Sequence, residues 1–137
     1  MFATARTPSA LTSLTDLGIT VLPLEVTKAE SITDLRDQVA KLTNNRGLDF
    51  LVNNAGRNYT MPALDLDVDE VRDLFETNVY GVMRMCQAFA PLLIEAKGCI
   101  VQIGSLTGVM PYVLSSAYNA SKAALHAYSR TLRNVRI

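Results

Sequence analysis

The 137-residue sequence has no tryptophan, one histidine and two cysteines. A single imidazole, His126, makes both a metal centre and a serine–histidine hydrolase poor readings, and leaves a helix-surface or interface histidine as the better one. Cys86 and Cys99 cannot form a disulfide scaffold and lack metal-ligand spacing, so both are expected as small core residues in a reducing compartment. An excess of either charge is missing too: 13 Lys+Arg face 13 Asp+Glu, for a formal net charge of zero. Binding to nucleic acid or an anionic membrane calls for a cationic field, so neither partner is expected. Long apolar runs are absent. The longest, Ala88 to Ile94, has seven residues and contains Pro91, against the ~20 that span a bilayer. The opening Met1–Ala10 has no basic stretch leading into an apolar one, so no secretory leader is expected.

What is there is globular: 49% of residues are apolar and 19% charged. Phe2–Arg6, Ile19–Leu24, Leu48–Val52 and Ile100–Ile103 read as short strands. Between them lie helical stretches. Residues 9–17 form a short one. Thr27-Lys28-Ala29-Glu30 has the spacing of a capping box and opens a helix with apolar Ile32, Leu35, Val39 and Leu42. Asp67 caps the longest helix, which runs to about Ala96 and stops at Gly98. A last helix spans roughly 115–133. The alternation β-α-β-α-β-α-β-α predicts a parallel sheet with helices on both faces.

Four features converge on the carboxyl ends of these strands, where open α/β sheets bind ligands. Tyr118 and Lys122 are at i and i+4 and share a helix face. An ammonium beside a phenol favours the phenolate, which suits the pair to acid–base work. Ser105 follows the fourth strand, thirteen residues before Tyr118. Asn53-Asn54-Ala55-Gly56 follows the third, with small residues that let a flat ligand approach the backbone. Asn78 sits mid-helix, where asparagine has poor propensity.

Together, Asn53-Asn54-Ala55-Gly56, Asn78 in Asn-Val-Tyr-Gly, Ser105 in Ile-Gly-Ser and Tyr118-x-x-x-Lys122 resemble the short-chain dehydrogenase/reductase family. Phe2–Arg6 and Leu22–Thr27 are similar to its fungal 1-acyldihydroxyacetone-phosphate reductase-like subgroup. The resemblance implies hydride transfer between NAD(P)H and a carbonyl or alcohol. It gives Tyr118 the proton transfer, Lys122 the nicotinamide ribose, Ser105 the substrate oxygen, and Asn78 a water relaying protons to Lys122. Cofactor contacts are implied for Asn53, Asn54, Ala55, Gly56, Tyr118 and Lys122, with Glu25 beside the adenine and Val26 giving a backbone contact. NAD-specific folds carry an acidic residue near the end of the second strand. Here that stretch offers no carboxylate and the guanidinium of Arg6, which can pair with a 2′-phosphate. NADP(H) is therefore favoured over NAD(H).

The expected fold is a three-layer, doubly wound, Rossmann-like α/β sheet, with residues 1–137 as a single partial domain. It is expected to be incomplete, because the sequence holds no T-G-x-x-x-G-x-G turn to cradle a pyrophosphate. In the strand order 3-2-1-4-5-6 the first strand is central. Without it, the strands at 2–6 and 19–24 either re-pair with 48–52 or leave a row of backbone groups open. Val135-Arg136-Ile137 looks like a later strand joined early to the last helix. Two functional readings follow. One is an NADP(H)-dependent carbonyl/alcohol oxidoreductase. The other is an inactive truncated remnant, or the product of a wrongly assembled gene, acting at most as a binding protein. A complete relative is expected to be a dimer or tetramer through the two long helices, with Val79, Val82, Phe89 and Leu125 either at that interface or covering the sheet. Apolar Val109–Leu114, just before Tyr118, leans towards a lipophilic substrate or belongs to the core. The expected compartment is the cytoplasm, and peripheral contact with a lipid droplet or the endoplasmic reticulum stays open.

Overall fold

The computed structural model describes residues 1–133, so the strand expected at Val135–Ile137 lies outside the described residues. The element order follows the predicted alternation. Strand β1 (Phe2–Ala5) leads through a 3₁₀ turn (Pro8–Leu11) and the one-turn α1 (Thr12–Thr15) into β2 (Thr20–Pro23). Helix α2 (Ala29–Leu42), β3 (Phe50–Asn53), α3 (Val68–Phe75), a π-helical turn (Glu76–Tyr80), α4 (Gly81–Ala96), β4 (Cys99–Gln102) and α5 (Ser116–Leu132) complete it.

Both strand pairs are parallel. Phe2 lies opposite Thr20 in β1–β2, and Phe50 opposite Cys99 in β3–β4. No ladder joins the pairs among the described residues, so β1 and β3 have not re-paired. A cleft of about 690 Å³ separates them, lined by Phe2, Thr4, Phe50, Val52 and the core side chains Leu24 and Phe89. The Met1 and Ala5 carbonyls accept from the amides of Thr20 and Leu24, and those of Asp49 and Asn53 accept from Cys99 and Ile103. In parallel strands alternate residues bond to alternate sides. The backbone groups of Phe2, Thr4, Phe50 and Val52 therefore turn into the cleft.

Helices α2 and α4 pack on one sheet face. Ile32, Leu35 and Val39 join Met85, Phe89 and Leu93 over Leu22, Leu24 and Leu51. A second cluster sets Val82 and Cys86 of α4 against Leu125 of α5, with Ile100 of β4 shared between the two. Val79, Val82, Phe89 and Leu125 are all buried within this chain. Over β3 the opposite face is bare, with Phe50 and Val52 at 64% and 56% exposure. The expected incompleteness has two physical forms: an unfilled strand position and an uncovered sheet face.

Local chemistry differs from expectation at several points. Thr27 and Glu30 do not form a capping box, because the Glu25 carboxylate accepts from both the amide and the hydroxyl of Thr27 at 3.4 and 3.1 Å. Lys28 becomes the N-cap and α2 starts one residue later. Asp67 caps α3 as predicted, its carboxylate accepting from the Asp69 amide at 2.8 Å. The long helix is broken into α3 and α4 by the π turn. At the end of α4 the left-handed residue is Lys97. Gly98 is needed for a close approach instead: a Cβ there would lie 2.2 Å from the Leu48 carbonyl oxygen. Cys99 is exposed and only Cys86 is a core thiol, because the strand's alternation turns Cys99 to the bare face.

Candidate active site

Lys122 is the centre of the site. It lies on α5, is only 6% exposed, and donates from Nζ to the Ile103 carbonyl at 2.8 Å. Burial pushes its ammonium below the ordinary lysine value, since desolvation disfavours the charged form. Nζ lies 5.7 Å from the centre of the Tyr118 ring, one helical turn away. The helical spacing predicted from sequence is therefore realised, with the cation near the phenol.

Asn78 enters from the π turn and is 1% exposed. Its Oδ1 accepts from the Arg57 amide at 2.9 Å, while Nδ2 donates to the Arg57 carbonyl at 3.0 Å and to Ser121 Oγ at 3.1 Å. Ser121 in turn donates to the Tyr118 carbonyl at 2.8 Å. One carboxamide thus ties the loop after β3 to the helix that bears Tyr118. Wide π turns recur at functional positions, and here the turn aims an asparagine at that loop. Gly56 lies in the same corner: a Cβ there would be 3.4 Å from Asn78 Oδ1 and 4.0 Å from Lys122 Nζ.

Ser105 follows β4 and caps a 3₁₀ turn (Leu106–Gly108). Its hydroxyl accepts from the Thr107 amide at 3.3 Å and shares a hydrogen with Thr107 Oγ1 at 2.9 Å. The Ser105 amide donates to His126 Nε2 at 3.4 Å.

The predicted nucleotide residues divide. Arg6, Glu25, Val26, Ala55 and Gly56 line one hollow of about 780 Å³ at the carboxyl ends of β1, β2 and β3. Arg6 is exposed and makes no ion pair among the described residues. Arg57, also in the hollow, is held by Glu70 at 2.7 Å. Glu25 is occupied by Thr27, as described above. Asn54 is exposed, whereas the buried Asn53 aims its carboxamide inwards, donating to Cys86 Sγ at 3.5 Å. Sequence reasoning missed Arg57, Ser121 and the contact of His126. The only sequence signal for Ser121 was a small polar residue inside Tyr118-x-x-x-Lys122.

A family model described as short chain dehydrogenase matches residues 2–135. The chain belongs to that family. Among curated proteins it is 55% identical over 120 residues to the short-chain dehydrogenase virD of Hypocrea virens, covering 88% of this chain and 42% of that protein. It is 46% identical over 133 residues to the NADPH-dependent 1-acyldihydroxyacetone phosphate reductase of Schizosaccharomyces pombe, covering 97% and 45%. Among solved structures, a short-chain dehydrogenase from Streptomyces avermitilis superposes with a TM-score of 0.89 at 35% identity, over 96% of this chain and 49% of that one. An NADPH-bound carbonyl reductase from chicken fatty liver gives 0.88 at 28% identity, over 95% and 60%. The chain spans about half the length of the curated relatives it matches. Its fold is the family's parallel α/β fold in part, and none of its described helices is long and apolar enough to cross a membrane.

Proposed function

We propose that residues 1–137, as one part of a dinucleotide-binding domain, carry the catalytic group of an NADP(H)-dependent oxidoreductase that interconverts a carbonyl and an alcohol. In this reading the Tyr118 hydroxyl gives its proton to the carbonyl oxygen, and takes it back in the reverse direction. The Lys122 ammonium favours the phenolate that remains and holds the nicotinamide ribose. Ser105 donates its hydroxyl hydrogen to the same substrate oxygen as negative charge develops there. Asn78 fixes the loop after β3 against α5 and borders the corner where a proton-relaying water would sit. The nicotinamide nucleotide, when bound, supplies the hydride. The observation that carries this reading is the buried Lys122, with Nζ bonded to Ile103, bordering Gly56 and Asn78, and near Tyr118.

Arg6 supports a preference for NADP(H), because among the described residues it is the cation in the hollow not already paired to a carboxylate. Glu25 and Val26 line the same hollow, which supports giving them the adenine side of that ligand. The residues present fit the two ends of such a cofactor. They do not supply a glycine-rich turn for the pyrophosphate. The substrate we assign is lipophilic, because Val109, Met110, Tyr112 and Val113 are 59–76% exposed beside α5 and do not belong to the core. A cytoplasmic enzyme with peripheral access to lipid fits that substrate.

A second reading rests on the open cleft between β1 and β3. In it, the isolated 137-residue chain is folded but does not turn over. NADPH consumption with a panel of apolar ketones and aldehydes separates the two. Consumption that vanishes in Tyr118→Phe, while the variant still binds the nucleotide, supports the first. No consumption by a folded chain supports the second.

A further inference from the structure

Tyr118, Lys122 and His126 stand at i, i+4 and i+8 on one face of α5. The last two both reach the backbone after β4. Lys122 donates to the Ile103 carbonyl, and His126 Nε2 accepts from the Ser105 amide, two residues further on. The imidazole also occupies space that two glycines leave free. A Cβ on Gly104 would lie 2.5 Å from Nε2, and one on Gly108 would lie 2.9 Å from both Cε1 and Nδ1. The five-residue segment from Gly104 to Gly108 is therefore folded around the ring, with Ser105 inside it. Thr107 engages the serine hydroxyl, and His126 engages the serine backbone.

We propose that His126 is a positioning residue for Ser105: its neutral imidazole holds the Ser105 amide and fills the hollow between Gly104 and Gly108. An Nε2 that accepts must be unprotonated, which puts the ring hydrogen on Nδ1. Protonation sets an N–H against an N–H and releases the segment. The charged neighbours on the helix are Lys122 and Arg130, one turn to either side, and the Gly104–Gly108 segment carries no ionisable side chain. The role of Ser105 in catalysis rests on the function proposed above; the positioning of its backbone does not.

The test is nuclear magnetic resonance of the 137-residue chain over a pH series that carries the imidazole from neutral to charged. With one histidine in the sequence, the imidazole signal is assigned without ambiguity. The Ser105 amide shift is expected to follow the same midpoint as the ring. In His126→Gln, whose side-chain oxygen can still accept, the amide stays at its high-pH position throughout. In His126→Leu, which keeps the bulk but not the acceptor, amide exchange at Ser105 rises about two- to tenfold, the loss of one hydrogen bond of ordinary strength. If the chain turns over, His126→Leu lowers kcat with little change in KM for the nucleotide, and His126→Gln restores it. A Ser105 amide that ignores the imidazole titration in the wild type overturns the proposal, whether or not the leucine variant folds. An inactive chain whose Ser105 amide does follow the ring upholds it and counts only against the proposed activity.

Discussion

Replacing Asn78 by alanine removes one buried carboxamide and three hydrogen bonds at once: two to the backbone of Arg57 and one to Ser121. The partners do not suffer equally. Ser121 is fully buried but keeps its bond to the Tyr118 carbonyl, so it loses a donor without becoming an orphan. The Arg57 amide and carbonyl border the hollow and regain part of their hydration from water. An orphaned polar group costs about 1–3 kcal/mol, so the sum expected is about 2–4 kcal/mol. At ~2.1 cal/mol/K of unfolding entropy per residue, a chain of this length shifts its Tm by roughly 3.5 °C per kcal/mol. Asn78→Ala should therefore melt about 7–14 °C below the wild type by circular dichroism. Asn78→Asp has the same shape and keeps the acceptor for the Arg57 amide, but sets a carboxylate oxygen against the Arg57 carbonyl. That variant should also melt below the wild type. Melting of Asn78→Ala within about 2 °C of the wild type would refute the role given to this carboxamide.

Burial lowers the proton affinity of Lys122, so between its folded value and the ordinary lysine value of about 10.5 the unfolded chain binds more protons. The unfolding free energy of the wild type relative to Lys122→Met should rise from pH ~7 to pH ~10.5, as read by urea titration at each pH. A flat difference would mean that the ammonium is not desolvated. In hydrogen exchange, the amides of Phe2, Thr4, Phe50 and Val52, which turn into the cleft, should exchange much faster than those of Ala3 and Leu51, which bond within their pairs. Equal protection would mean that the cleft is closed in solution. Gly98→Ala forces a methyl to within 2.2 Å of the Leu48 carbonyl oxygen and should cost at least about 1–3 kcal/mol in the same titration.

Much of this was legible in the sequence. The alternation of strands and helices, the Asp67 cap and the buried stripe of Ile32, Leu35 and Val39 follow from periodicity and propensity, which act locally. The four polar motifs were legible because each follows a strand or sits oddly on a helix. What escaped depends on contacts far apart in the chain. The π turn is held by a bond across 21 residues, from Asn78 to Arg57. Glu25 took Thr27 from a capping box that was locally correct, because its carboxylate stood within reach of both hydrogens. Cys99 was expected in the core because thiols usually are, yet the face that β4 turns it to is uncovered. His126 looked like a bland surface residue, since nothing in its own helix shows that two glycines about twenty residues away make room for it.

The most direct test of the nucleotide site is a fluorescence titration of the 137-residue chain with NADPH and with NADH. A charge-assisted bond between Arg6 and the 2′-phosphate is worth ~1.5–3 kcal/mol, or roughly a 10- to 100-fold preference for NADPH. Saturable binding with that preference is expected, and its loss in Arg6→Ala. Equal affinity for the two nucleotides, or binding of neither at millimolar concentration, would contradict it.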